Sequence, residues 1–371
     1  MAMRVLFLTN TPPGGPSARY RVYQFLPYLG QYGITASCHS ALTPFLYDKC
    51  KPSGGLWSKL IYFGLSVLSR LLALLRLAFY DAVYIQKLVL PHVYPWPELM
   101  LCKLGRLLGK KVIFDFDDAI FTVSGVRKKT WFERLACPDR LPKVLALCDC
   151  VVAGNNYLAD FARDHCKNVV VLPTCVELAR YPVRPWNKHN EPFIIGWIGT
   201  PSTTPYLDLI APALREVAQK KAVILRIVGG KEYHCPGVQV ECLPWSLADE
   251  VKLIQSFDIG VMPLADDPWS RGKCGLKLLQ YMAAGVPAVA SPVGVNSEII
   301  RHGVNGYLAA DTAGWVEALE RIIVNPAARS GMVQKARETV EQAFAVESSV
   351  PGLVRILKGN GCRLTSGVGN E

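Results

Sequence analysis

The chain is predicted to be an α/β protein built from two Rossmann-like domains that face each other across a cleft. Three observations predict it. Two successive series of short apolar runs alternate with helical patterns, and each series starts with a strand that runs into a glycine-bearing loop. A stretch without periodicity, Glu177–Pro192, separates them and carries several prolines among polar neighbours. The length, 371 residues with 50% hydrophobic and 19% charged, exceeds one ordinary core and excludes a disordered chain. The expected boundaries are 1–177, a linker 178–192, 193–345, and a tail 346–371 whose helices can cross back to the first domain.

The first series opens with strand Arg4–Leu8. Its apolar run is too short for a signal peptide. A loop containing Gly14 and Gly15 follows, then a helical pattern through Tyr20, Tyr23, Leu26 and Leu29 that Pro27 should kink. The loop lacks GxGxxG, which argues against an oxidoreductase-type dinucleotide site. Arg19 and Arg21 stand in the first turn, where cations are disfavoured by the helix dipole. Either they meet an anionic acceptor or they are plain surface charge. Trp57–Tyr80 is leucine-rich almost all round, with Lys59, Arg70 and Arg76 its only charges. Two arginines in any window of spanning length argue against a transmembrane helix. A helix buried beneath the sheet and an interfacial helix on an anionic membrane (residues 56–80) both remain open. Strand Ala82–Gln86, helix Pro97–Leu108, strand Lys111–Phe116 and helix Trp131–Leu147, broken by two prolines, come next. Strand Cys150–Ala153, helix Tyr157–His165 and strand Asn168–Leu172 complete the series.

The second series runs from strand Phe193–Ile198 through the loop Gly199-Thr200-Pro201-Ser202 into helix Leu207–Ala218. Strand Ala222–Val228 ends at Gly229, strand Glu241–Leu243 precedes Trp245, and helix Leu247–Phe257 leads to strand Ile259–Leu264. The tail from Thr312 is helical in three pieces.

The most informative stretch follows that last strand. A polar loop with Asp266, Asp267 and Arg271 enters Gly272-Lys273-Cys274-Gly275, and a helical pattern from Leu276 stops at Gly285 and Pro287. Unpaired N–H groups at such a helix start, together with the helix dipole, suit a phosphate. Lys273 and Lys277 are four apart, so on a helix they share a face and can reach one diphosphate. The alternative is two solvated lysines.

The net charge of +11 is uneven. Residues 1–177 hold 21 Lys and Arg against 12 Asp and Glu, a balance of +9. An anionic lipid surface or phosphorylated substrate suits that half. No nucleic-acid-binding motif is present and the basic residues are spread thinly, so no nucleic acid partner is expected. Twelve cysteines include no CxxC and read as reduced thiols in a cytoplasmic protein.

The order of elements, with GKCGLKLLQYMAAGVPAVASPVG, NSEIIRHGVNGYLA, VVVLPTCVELARY, DIGVMPL and the Gly14-Gly15 loop, resembles the family-4 retaining glycosyltransferases of the GT-B architecture. The resemblance covers nearly the whole chain. It implies transfer of a sugar from a nucleotide-diphosphate sugar to an acceptor hydroxyl with retention, without an obligatory metal or other cofactor. The acceptor would be a glycan or a lipid-linked molecule, bound before residue 177, and the protein cytoplasmic or associated with the cytoplasmic face of a membrane. The donor would be bound by Gly14, Gly15, Gly199, Thr200, Ser202, Gly229, Trp245, Asp266, Arg271, Cys274, Gly275, Leu276, Gln280 and Glu298. The chain departs from the family where two glutamates usually stand eight apart, at Gly272 and Gln280. Gln280 can still hydrogen-bond a ribose hydroxyl, whereas Gly272 offers no side chain, so Asp266, Asp267 or Arg271 would meet the sugar. Lys273 and Lys277 are expected to replace the usual diphosphate-gripping pair. Trp245 can equally be a core plug.

The run VIFDFDDAIF sets Asp115, Asp117 and Asp118 at a strand's carboxyl end. It fits a metal-holding DxD, an aspartyl-phosphate nucleophile at Asp115, or carboxylates facing an acceptor. The third reading is preferred, with Asp117 and Asp118 as catalytic-site carboxylates and Asp115 structural. Two functions outside glycosyl transfer stay open: a non-catalytic sugar-nucleotide-binding protein and an Asp115-dependent phosphohydrolase. His39, His92 and His165 have no spaced partner and read as structural.

Overall fold

Most of the short apolar runs become strands, and the described residues hold twelve parallel strands of two to seven residues in two six-stranded sheets. A computed structural model of the chain describes residues 2–49, 56–89, 94–122, 140–183 and 192–359. Of these, 2–122, 140–174 and 346–359 form one compact unit and 175–345 the other. Residues 131–139 of the helix expected at Trp131, His92, and 184–191 of the expected linker lie outside the described residues.

In unit 1 the strands are β1 (Met3–Thr9), β2 (Ile34–Ser40), β3 (Ala82–Gln86), β4 (Lys111–Phe116), β5 (Cys150–Ala153) and β6 (Val169–Val171), in the order β2-β1-β3-β4-β5-β6. The order reverses between β1 and β3. Open α/β sheets bind ligands outside the carboxyl ends of strands at such a point. Leu6, Leu8, Val83, Ile85, Ile113 and Phe114 are fully buried, as strands covered on both faces require. β2 carries a partly exposed, polar ITASCHS at the sheet edge and escaped the reading of apolar runs.

The first helical pattern is not one kinked helix. It splits into Pro16–Arg21, a 3-10 turn Tyr23–Phe25 and Leu26–Leu29, and the break comes at Val22 (φ −132°), ahead of Pro27. Pro27 falls in the first turn of the last piece, where its missing N–H is harmless. Helix Leu56–Arg76 packs beside helix Trp96–Leu107. Helix Val346–Lys358, with Pro351 inside it, belongs to unit 1, where the Tyr28 hydroxyl donates to Glu347 at 2.9 Å.

Unit 2 contains β7 (Phe193–Ile198), β8 (Val223–Val228), β9 (Gln239–Leu243), β10 (Ile259–Met262), β11 (Ala288–Ala290) and β12 (Tyr307–Leu308), in the order β12-β11-β10-β7-β8-β9. The reversal here lies between β7 and β10. One core cluster joins Ile195 and Trp197 of β7 to Leu214 and Val217 of helix Ala211–Lys220 and Leu319 of helix Thr312–Val324. The helix expected over 207–218 starts later because Thr204–Leu209 is a 3-10 turn.

Candidate functional site

The helix Leu276–Ala283 stands between β10 and β11 and is held against β7. Its Tyr281 hydroxyl accepts from the Ile198 backbone N–H at 3.2 Å, at the carboxyl end of β7. Gly260 makes room for that ring, since a Cβ there would come within 2.5 Å of it. The helix starts at Gly275, in a left-handed conformation (φ +69°) and without a side-chain cap. A Cβ at Gly275 would meet Ile299 at 2.3 Å, so both the turn and the packing require glycine. The N–H groups of this first turn lack a side-chain acceptor from the cap residue, which leaves a dipole end suited to an anion.

The Lys277 ammonium lies 4.7 Å from the centre of the Trp197 ring, and the Lys273 ammonium 4.6 Å from that of Trp269. Trp197 also touches the loop after β7, where a Cβ on Gly199 would sit 2.3 Å from its ring. Gly229 (φ +75°) follows β8, and a Cβ there would be 2.6 Å from the Gly199 carbonyl and 3.0 Å from Trp245 Cβ. Lys277, Gly199, Gly229 and Trp245 are therefore drawn together at the carboxyl edge of the sheet. Thr200 and Ser202 join hydroxyls at 3.0 Å in the exposed Gly199 loop.

Other expected donor residues are placed differently. Asp266 and Arg271 pair with each other, Nε to Oδ1 at 2.6 Å and NH2 to Oδ2 at 3.0 Å, and this bond holds the exposed Asp266 carboxyl below its ordinary range. Asp267 caps helix Pro268–Arg271 by accepting from Ser270 N–H at 2.7 Å. Gln280 is only 4% exposed, and its Nε2 donates to Tyr181 at 3.2 Å. Cys274 is buried, with Sγ 3.8 Å from the Gly272 carbonyl oxygen. Glu298 is exposed on the short helix Asn296–Ile299, whose Ile299 packs on Gly275. The Trp245 indole N–H donates to Glu250 at 3.0 Å.

Unit 1 gathers a second group at its own reversal point. The Ser17 hydroxyl donates to Asp117 at 2.8 Å and accepts from Gln86 Nε2 at 2.8 Å. Lys87 Nζ sits 2.6 Å from Asp117 and 2.7 Å from Asp118. Burial opposes the Lys87 charge, yet the two carboxylates carry its pKa well above the ordinary lysine value. Lys87 is the one non-glycine residue with positive φ (+60°) among the described residues, the kind of strain that collects at binding sites. Sequence reasoning missed Lys87, Ser17 and Gln86. Their signal was position alone, at the carboxyl end of the expected strand Ala82–Gln86 and, for Ser17, in the first turn of the helix that follows β1. A pocket of about 190 Å³ adjoins Lys87, walled by Asn10, Tyr62, Phe63, Leu88, Val89 and Ile120.

Arg21 requires a correction. It does not face an anionic visitor: it is 1% exposed, paired with fully buried Asp115, and NH1 donates to the Leu172 carbonyl at 2.6 Å. Arg19 is likewise buried at 5% exposure and lies over the Tyr20 ring at 4.7 Å. Both arginines stand in the last turn of the six-residue helix Pro16–Arg21 instead of the expected first turn, where the dipole suits cations, and Arg21 ties that helix to the sheet. The same pairing removes Asp115 as a phosphohydrolase nucleophile, because no substrate reaches a carboxylate enclosed by a guanidinium. Gly15 belongs to local packing, since a Cβ there would meet Thr11 Oγ1 at 2.1 Å, whereas Gly14 stands in open space. Among the described residues no cluster of three or more His, Cys, Asp or Glu has metal-holding geometry.

Two six-stranded parallel α/β sheets, each reversing its strand order once, match the GT-B class of fold. Residues 192–325 match the family model "Glycosyl transferases group 1", so unit 2 carries a glycosyltransferase group 1 domain. The chain is 37% identical over 78 residues to N-acetyl-alpha-D-glucosaminyl L-malate synthase of Bacillus anthracis, covering 20% of each chain. It is 25% identical over 224 residues to D-inositol 3-phosphate glycosyltransferase of Actinosynnema mirum, covering 52% of this chain and 54% of that one. These matches thus span from a fifth to about half of the relatives' lengths. Among solved structures, sucrose-phosphate synthase from Thermosynechococcus elongatus superposes with a TM-score of 0.70 at 14% identity, over 96% of this chain and 98% of that one. HepE of Anabaena, in complex with UDP and glucose, superposes with a TM-score of 0.67 at 15% identity, over 96% and 100%.

Proposed function

We propose that the protein is a retaining glycosyltransferase that moves a sugar from a nucleotide-diphosphate sugar to an acceptor hydroxyl in cell-surface glycan or glycolipid synthesis. One observation carries the reading: two ammonium groups, Lys273 and Lys277, flank the uncapped start of helix Leu276–Ala283 at the reversal point of the unit 2 sheet. In the reaction, the bond from the anomeric carbon to the diphosphate oxygen breaks and one to the acceptor oxygen forms on the same face. The acceptor proton passes to the departing diphosphate. The lysines and the helix start would stabilise the charge that develops there, a contribution of ~3 kcal/mol for a single well-placed donor. In unit 1, Asp117 and Asp118 would accept from acceptor hydroxyls, held in place by Lys87. Reading the nine cysteines among the described residues as reduced thiols suits a reducing cytoplasm. The same reading brings the acceptor to a membrane surface reached through residues 56–80, and no metal is assigned a role.

The second reading is a sugar-nucleotide-binding protein without turnover. It is favoured by Gly272, which has no side chain, and by the burial of Gln280 against Tyr181. A panel of UDP- and GDP-sugars separates the two, followed by thermal shift, nucleotide release and NMR of the anomeric product. Release with a retained anomer supports transfer. Stabilisation without release supports the second reading, and an inverted product or no binding overturns both.

A further inference from the structure

Helix Leu56–Arg76 is packed inside out. Its inward stripe is Tyr62, Ser66, Arg70, Ala73 and Leu77, all at most 7% exposed. The opposite stripe is Leu60 and, two turns on, Leu68, Leu72 and Leu75 at four- and three-residue spacing, continued by Phe79, with exposures from 49% to 75%. By length and composition alone, Leu60–Phe79 could cross a bilayer, so its two arginines do not exclude a span. The inward stripe instead fixes it along unit 1. Arg70 is wholly buried, with Nε 3.8 Å from Glu98 and NH2 donating to Asn10 Oδ1 at 2.9 Å. Glu98 in turn accepts from Val89 N–H at 3.0 Å. A buried ion pair of this kind is a device for fixing orientation more than for adding stability. Turning the helix over would place the leucines inside and leave Glu98 without its cation.

The neighbouring helix Trp96–Leu107 extends the apolar surface with Trp96 (38% exposed), Met100 (45%) and Leu107 (82%). Residues 56–79 contain no acidic side chain, and 96–108 contain only Glu98, which is buried. The exposed charges described on the two helices are cations: Arg76, Lys103 and Arg106. Apolar patches of this extent on a monomer mark an interaction surface. A face of leucines and aromatics edged only by cations is complementary to an anionic lipid headgroup layer over hydrocarbon.

We infer that the outward face of helices Leu56–Arg76 and Trp96–Leu107 docks on an anionic bilayer surface, with the leucines entering the headgroup–acyl boundary. This deepens the membrane part of the proposed function by naming the face and the lipid charge, and it does not depend on the donor site.

The test is co-sedimentation of the full chain with vesicles of phosphatidylcholine alone and of phosphatidylcholine mixed with phosphatidylglycerol, without any nucleotide sugar. Binding to the anionic vesicles is expected to be tighter by on the order of 10- to 100-fold, from three cations near the surface, and to weaken with salt. Leu68→Asp with Leu72→Asp should abolish it at unchanged Tm. Lys103→Glu with Arg106→Glu should erase the preference for anionic lipid. A protein that stays in solution with anionic vesicles overturns the proposal. So does a dimer in solution that the leucine variant disperses, which would assign the face to a second copy of this chain. A protein that binds anionic vesicles here but shows neither binding nor release in the separate nucleotide-sugar panel would overturn the glycosyltransferase reading and uphold this proposal.

Discussion

The ammonium of Lys277 lies 4.7 Å from the centre of the Trp197 ring, and Trp197 is buried at the end of β7 against the Gly199 loop. A cation held against an aromatic face beside an uncapped helix start is pre-placed for a second, anionic partner. Replacing Lys277 or Lys273 by alanine is expected to lower kcat for sugar transfer by about 10²- to 10³-fold each. The Tm should barely move, because neither side chain is part of the core. Steady-state kinetics beside thermal melts check this, and near-normal rates in both variants would dismiss the diphosphate assignment.

Arg21 and Asp115 form an enclosed ion pair, so removing one partner strands the other. Arg21→Met is expected to destabilise unit 1 by about 3–5 kcal/mol. Arg21→Met combined with Asp115→Leu should recover most of that loss. Urea unfolding of wild type, Arg21→Met, Asp115→Leu and the double variant measures both. A stability loss in the double variant equal to the sum of the singles would mean the two residues act separately.

Gly275→Ala forces a side chain into a left-handed backbone and against Ile299. The expected loss is on the order of 1–3 kcal/mol, together with weaker nucleotide binding. Adding Ile299→Ala relieves the contact but not the backbone, so only partial rescue is expected in melts and titrations.

Lys87 carries both strain and charge, and two substitutions separate them. Lys87→Gly removes the strained φ and the ammonium, whereas Lys87→Met removes the ammonium and keeps the strain. Both should reduce transfer to acceptor while leaving donor affinity intact. Lys87→Met should be the less stable of the two by about 1 kcal/mol. Equal transfer by wild type and both variants would show that Lys87 does not position the carboxylates.

His39 sits against Arg76, with ring nitrogens 2.8 and 3.0 Å from NH1. Burial, then the guanidinium, lower its pKa from the ordinary value of 6.5. Stability from keeping this imidazole neutral is therefore present above pH 6.5 and is lost as pH falls through the lowered pKa. Tm measured from pH 8 to pH 5 should fall at the acid end, and His39→Gln should flatten that part of the profile.

Much of the architecture was legible because both sheets are parallel and covered on both faces, which turns strands into continuous apolar runs. Ala82–Gln86, Lys111–Phe116, Cys150–Ala153 and Phe193–Ile198 could be read to the residue. The edge strands Ile34–Ser40 and Tyr307–Leu308 could not, one being polar and the other two residues long. Among the candidate donor residues, Gly199 and Gly229 could be placed in the turns after β7 and β8, and Gly275 at a helix start, because glycine marks such turns. The burial of Arg21 was not, because its partner Asp115 is 94 residues away and nothing local distinguishes a paired arginine from a surface one. Lys87 was hidden for a related reason: a lysine gives no sequence sign of a positive φ.

The last described helix, Val346–Lys358, folds into the unit that begins the chain, and this dictates how the protein can be cut. Nearly all of the second unit lies in the span 175–345. The partner unit cannot be obtained by stopping the chain at 174, because that truncation discards the helix that Tyr28 grips through Glu347. Ribosomal synthesis meets the same constraint, since the sheet made early must wait for residues 346–358 before its cover is complete.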